Sequence, residues 1–245
     1  MDKRESNDRL ASELMAAARM LTAGMQWTSA NTPKVYVGTY AKYNSGSLEG
    51  KWVDLTDFDN DDDFLEKCYE IHSDEEDPEL MFQDYECFPE KYYSESHIDP
   101  EVWEYIEQVE DYDKDVVDAI LDDGNDLSAV DDAIVYPECY FMRDVAYQLV
   151  DEMGYEAFTP ETWEDAFDYD HFGREIQWDM DSDEVEAYGD KSDEEIGTEY
   201  VESIGGLSVL GEETIMAYAD YNQLGDMLEA DGNWIRYDGG YIQIM

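Results

Sequence analysis

Residues 154–173, GYEAFTPETWEDAFDYDHFG, and residues 206–225, GLSVLGEETIMAYADYNQLG, read as two versions of one module. Shifted by 52 residues, Gly154, Glu161, Thr162, Asp168, Tyr169 and Gly173 fall on Gly206, Glu213, Thr214, Asp220, Tyr221 and Gly225, six identities in twenty positions. Biased composition alone gives about two, and pairs such as Phe158 with Leu210 and Ile176 with Leu228 extend the match, so the module is read as duplicated. Helices expected over Tyr140–Met153 and Glu194–Ile204 precede the two copies in corresponding places. The second copy closes on Trp234 to Met245, whose alternation and Asp238-Gly239-Gly240 turn predict a terminal hairpin.

Upstream of the repeat the pattern is helical. Val102, Trp103, Ile106 and Val109, then Val116, Val117, Ile120 and Leu121, recur at three- and four-residue spacing, and Gly124 ends the second set. Ala133–Tyr136 reads as a short strand, and Cys139–Met153 as a helix with Phe141, Val145, Leu149 and Val150 on its apolar stripe. Further back the period is two. Val35, Val37 and Thr39 alternate with Tyr36, Gly38 and Tyr40, and a turn through Asn44, Gly46 and Gly50 leads to a second strand at Lys51–Leu55. Asp59 to Asp62 start a helix running to His72, their charges favourable at its positive end, and Glu79–Glu86 reads as a third strand. Residues 2–23 have helical spacing of Leu10, Leu14 and Leu21, and 1–33 are read as an extension outside the main fold.

The class expected is α+β: an elongated multi-module chain with a small antiparallel sheet plus helix, a central helical unit and a duplicated C-terminal α/β module. The expected boundaries are an extension at 1–33, an α/β domain at 34–96, a helical domain at 97–138, and the two modules at 139–190 and 191–245.

Charge dominates the chemistry. The first 51 residues carry seven Lys and Arg against five Asp and Glu; the remaining 194 carry seven against 60, and the chain totals −51. Such acidity often means disorder, but 43% hydrophobic content, 20 Tyr and six Trp demand burial, so this chain is expected to fold. A net charge of magnitude about 2–8 suffices for solubility of a small domain, so a larger one needs another explanation. Cys68, Cys87 and Cys139 are odd in number and lack CxxC spacing, which argues against a disulfide framework or zinc site and fits a reducing cytoplasm. No apolar run approaches the roughly 20 residues of a membrane span, no secretory signal is visible at the N-terminus, and anionic headgroups would repel this surface.

Enzyme signatures are missing. His72, His97 and His171 show no HExxH spacing, and neither GxSxG, a P-loop nor GxGxxG occurs. Among 65 carboxylates an acid–base pair is guaranteed and carries no information. Asp57, Asp59 and Asp61 begin like an EF-hand loop, but Asp62 stands where Gly is required and Cys68 where a bidentate Glu belongs. No metal, cofactor or catalytic residue is expected.

The surplus charge matches duplex DNA, which carries one negative charge per about 1.7 Å of axis; 51 charges at that density correspond to about 25 base pairs. Such a surface repels nucleic acid and attracts what nucleic acid binds, a groove lined with Lys and Arg. The candidate partner-binding acids, acting collectively, are Asp54, Asp57, Asp59, Asp61, Asp62, Asp63, Asp84, Glu86, Glu104, Glu107, Glu110, Asp111, Asp118, Asp122 and Asp123. An acidic chaperone or decoy for another basic DNA-binding protein, such as a nucleoid protein, is the alternative on charge alone.

The stretches VYVGTYAKYN and GSLEGKWVDL within Val35–Leu55, with LMFQDYECFPEKYYSE from Leu80 to Glu95, resemble the amino-terminal part of ArdA antirestriction proteins. FDYDHFGRE (Phe167–Glu175) and YADYNQLGD (Tyr218–Asp226) resemble two versions of that family's antirestriction motif, an aromatic–Asp–Tyr core followed by Gly-Arg-Asp. The motif positions are Phe167, Asp168, Tyr169, Asp170, Gly173 and Arg174, and Tyr218, Asp220, Tyr221, Gly225 and Asp226, where Asp226 replaces the basic residue. The resemblance implies a non-enzymatic cytoplasmic protein of mobile elements in bacterial cells. It further implies a mimic of bent B-form DNA that occupies the DNA groove of type I restriction–modification enzymes and self-associates as a homodimer. The duplication adds two options: the modules pair within one chain, or they lengthen the mimic.

Overall fold

The computed structural model describes residues 27–28, 30–178, 180–181 and 186–245; the helix expected over 2–23 lies outside the described residues. Two compact units divide the chain: the residues up to Val135 with Ile235–Asp238 and Ile244–Met245, and Tyr136–Trp234 with Gly239–Gln243.

In the first unit, strands β1 (Lys34–Thr39), β2 (Lys51–Asp54) and β3 (Leu80–Glu86) form an antiparallel sheet in the order β2-β1-β3. The two-residue period sets the register: Val35, Val37 and Thr39 are fully buried, while Tyr36 on the other face meets Trp52 edge-on at 5.4 Å. The connection from β1 to β2 differs from the plain turn expected. Tyr40–Asn44 forms a short helix, α1, because the Thr39 hydroxyl accepts a hydrogen bond from the Lys42 amide at 3.2 Å and starts it, and Gly46 at φ 86° ends the turn.

Helix α2 (Asp61–Ile71) begins two residues later than expected, since Asn60 is its cap, accepting from the Asp63 amide at 3.0 Å, with Asp61, Asp62 and Asp63 in the first turn. Its buried Phe64 stacks on Phe82 and touches Trp103, both at 5.8 Å between ring centres, tying helix, sheet and the next element into one core. A two-stranded ribbon, β4 (Tyr93–Ser94) and β5 (His97–Ile98), leads into α3 (Glu101–Asp111) and α4 (Lys114–Asp122). Val116, Val117 and Ile120 of α4 are buried, and each contributes about 1.5–3 kcal/mol relative to exposure.

The second unit holds the repeat. Its first copy is α5 (Met142–Met153), α6 (Pro160–Asp165) and α7 (Tyr169–Ile176); its second is α8 (Asp193–Ile204), α9 (Glu212–Ala217) and α10 (Tyr221–Asp231). The bounds of α6 and α9 stand 52 residues apart at both ends, as the sequence match requires. The buried face of α5 is Met142, Val145, Ala146 and Val150; Phe141, expected on that stripe, precedes the helix and is 58% exposed, its ring lying against the Arg143 guanidinium. Strands β6 (Ala133–Pro137), β7 (Asn233–Tyr237) and β8 (Gly240–Ile244) form a sheet in the order β6-β8-β7, which includes the expected terminal hairpin. The class is α+β. Among the described residues no helix is long and apolar enough to cross a membrane.

Candidate functional site

Helix α3 buries Val102, Trp103, Tyr105, Ile106 and Val109, so the opposite face carries what remains. At 3.6 residues per turn, Glu104, Glu107 and Asp111 fall within roughly 60° of arc, directly away from the apolar centre, and all three are exposed. Helix α4 repeats the arrangement: Asp115, Asp118 and Asp122 share an arc of similar width opposite Val116, Val117, Ile120 and Leu121. Two acidic ridges follow from two amphipathic helices. Beside the second, Asp115, Asp118, Asp122 and Asp123 line a groove of about 480 Å³ together with Arg236 and Asp238.

Of the fifteen acids singled out from the sequence, Asp54, Asp57, Asp59, Asp62, Asp63, Asp84, Glu86, Glu104, Glu107, Glu110, Asp111, Asp122 and Asp123 are exposed, while Asp61 and Asp118 are half-buried. They are not equally free. Glu86 pairs with Lys34 at 2.8 Å, Glu110 accepts the Trp27 indole N–H at 2.6 Å, and Asp118 accepts the Tyr105 hydroxyl at 2.9 Å besides pairing with Lys114. Burial, reinforced by neighbouring Asp62 and opposed by His97, holds the Asp61 carboxyl above its ordinary range. Sequence reasoning omitted Glu101 and Asp115, which continue the i, i+3 spacing of the two ridges and were legible from it. It also omitted Asp238, which only the fold brings to the groove.

Lys34, Lys42, Lys67, Lys114, Arg143, Arg174 and Lys191 each pair with a carboxylate. Since Asp and Glu outnumber Lys and Arg 65 to 14, such pairs leave most acids without a basic residue to match them. A cluster of His72, Asp74 and Glu75 has the composition of a cation site but already holds a cation. Lys42 Nζ lies 3.1 Å from Asp74 Oδ1, 3.6 Å from Glu75 Oε1 and 3.2 Å from His72 Nδ1, and it holds the Asp74 carboxyl below its usual range. The other ring nitrogen of His72, at 3.2 Å from the Val37 carbonyl, donates to it, which leaves Nδ1 to accept from the ammonium.

The motif positions serve folding. Asp168 caps α7 by accepting from the His171 amide at 2.8 Å, and Asp220 caps α10 by accepting from Asn222 at 2.9 Å and Gln223 at 3.2 Å. Phe167, Tyr169, Tyr218 and Tyr221 belong to the core that both copies share. Gly173 and Gly225 are buried where neighbouring helices approach: a Cβ on the first would lie 1.8 Å from the Asp193 carbonyl oxygen, and on the second 2.5 Å from the Arg143 nitrogen. Arg174 spans Asp170 and Asp193, and Asp193 is held below its usual range first by the Gln177 amide and then by Arg174. His171 is exposed.

Burial pushes the Cys68 thiol up to about 12, with the Asp61 charge adding, and Cys139 up to about 11, with Asp144 and Glu152 adding; Cys87 is half-buried. At pH 8 a disulfide reagent is expected to modify Cys87 in the folded chain, while Cys68 and Cys139, buried and held as thiols, react only on unfolding. Equal rates for all three in the folded chain would contradict this packing.

Fold and surface define an acidic binding protein, built on amphipathic helices that turn carboxylates outward. The chain belongs to the ArdA antirestriction family: the family model for antirestriction protein (ArdA) matches residues 35–191, nearly two thirds of the chain. The match spans the sheet, both ridges and the first copy of the module, and the second copy lies beyond it. The family comprises inhibitors of type I restriction–modification enzymes. No curated protein matches the chain.

Proposed function

We propose that this chain inhibits type I restriction–modification enzymes, without chemistry of its own, by presenting carboxylates where a duplex presents phosphates. It thereby occupies their DNA-binding groove. The observation that carries this reading is the pair of ridges on α3 and α4. Steps of three and four residues along a helix set acids about 4.5 and 6 Å apart along its axis. Phosphates of one DNA strand recur every 3.4 Å or so of axis, so one ridge approaches the linear charge density of one strand. Helices fix these charges before binding, which spares the ordering cost that a flexible acidic tail meets.

In this reading residues 34–96 and 97–138 form the charged modules that enter the groove, and 139–190 and 191–245 form a paired base. Release of small ions from both surfaces drives association in the cytoplasm where the enzyme meets incoming DNA, and the chain itself does not bind nucleic acid. The test is displacement. The purified chain is expected to release a labelled duplex from a type I methyltransferase stoichiometrically, with no effect on the duplex alone. If it displaced the same duplex from a nucleoid protein and left the methyltransferase complex intact, the acidic-decoy reading would replace this one.

A further inference from the structure

The two copies of the repeat meet each other through equivalent residues. Phe167 and Ala219, 52 positions apart, form an antiparallel bridge. Around it the Asp168 amide donates to the Tyr218 carbonyl at 2.8 Å and the Asp220 amide donates to the Ala166 carbonyl at 2.7 Å. Asp168 corresponds to Asp220 and Ala166 to Tyr218, so residue i of one copy touches j of the other while the counterpart of j touches that of i. That reciprocity is the signature of a two-fold axis.

Helix packing obeys the same axis. The third helix of the first copy, α7, packs on the first helix of the second, α8, where Gly173 meets the backbone at Asp193 and Gly197. The third helix of the second copy, α10, packs on α5, where Gly225 meets the backbone at Met142 and Arg143. Neither copy has a core alone: Trp163 and Phe172 of one are buried in the same cluster as Ile215 and Leu224 of the other.

The polar contacts at these two crossings are reversed in sense. At one, Arg174 on the third helix donates from Nε to Asp193 on the first, at 3.1 Å. At the other, the arginine is Arg143 on the first helix, which donates from Nη1 to Asn222 on the third at 3.3 Å, and the position matching Arg174 is Asp226. In this geometry two first copies would set Arg143 against Asp170, the residue that matches Asn222, whereas two second copies would bring Asp193 toward Asp226. The charges therefore select against pairing of two second copies.

We propose that each copy is the other's partner within one chain: the surface a single module would offer to a second chain is filled in cis, and the charges of the second copy reject its own kind. The chain is then a monomer. This inference stands apart from the mimicry reading, because its readouts need no restriction enzyme.

The test is a charge-swap cycle. R174D and D193R are each expected to lower the melting temperature by about 2–4 °C, and the double variant to recover at least half of the combined loss. Refolding the two single variants together is expected to recover nothing, since each chain pairs with itself. Light scattering on the unaltered chain is expected to give 28.4 kDa at every concentration. Recovery on mixing, failure of the double variant to recover, or a stable dimer at low concentration overturns the proposal.

Discussion

Changing Glu104 and Glu107 to Gln and Asp111, Asp115 and Asp122 to Asn together is expected to weaken inhibition of the methyltransferase by about 100- to 1,000-fold. Each substitution removes one charge at nearly constant shape, and each exposed pair is worth about 1 kcal/mol or less, so five together reach roughly 3–4 kcal/mol. The same five substitutions made singly are expected to cost no more than about fivefold each. Asp118 is left in place because it holds the Tyr105 hydroxyl and Lys114, and its loss would disturb packing as well as charge. Folding is not the casualty: removing charge from a chain at −51 relieves self-repulsion, and the melting temperature is expected to hold or rise. If one of the five single changes abolished inhibition, a discrete contact would replace the collective surface.

The ridges were legible in the sequence because an amphipathic helix fixes both faces at once: once Val102, Ile106 and Val109 are assigned inward, Glu104, Glu107 and Asp111 have nowhere to point but out. The alternation of Val35, Val37 and Thr39 fixed the first strand in the same way. What escaped was set by contacts distant in sequence or by single hydrogen bonds. The helix at Tyr40–Asn44 depends on one cap from Thr39, which outweighs the turn-forming Asn44 and Gly46. Phe141 reads as core by hydrophobicity, yet it lies before α5 and stacks on Arg143.

The repeat itself was visible, and with it Gly173 and Gly225, but not why both are glycine; that needs the neighbouring backbone at the helix crossings. Gly197, at one of those crossings, gave no signal, because it lies outside the twenty aligned positions. Exposure of the acids could be foreseen, but not which of them are already engaged, such as Glu86 with Lys34 or Glu110 with Trp27.

Salt separates a charge mimic from an inhibitor that works by shape or apolar contact. Where six to ten phosphate-like contacts form, affinity falls by about 10³- to 10⁵-fold between 50 and 200 mM salt. The free chain responds the other way, because a Debye length near 10 Å at 0.1 M screens repulsion among its own acids and favours the fold. Loss of binding in salt therefore cannot be put down to unfolding, provided melting is followed in the same buffers. The decisive measurement is the affinity of the intact chain for a type I methyltransferase, titrated against salt by competition with a labelled duplex. A charge mimic shows a steep fall parallel to that of the duplex, while the melting temperature of the free chain climbs; an affinity that stays level over that range rules out mimicry by charge.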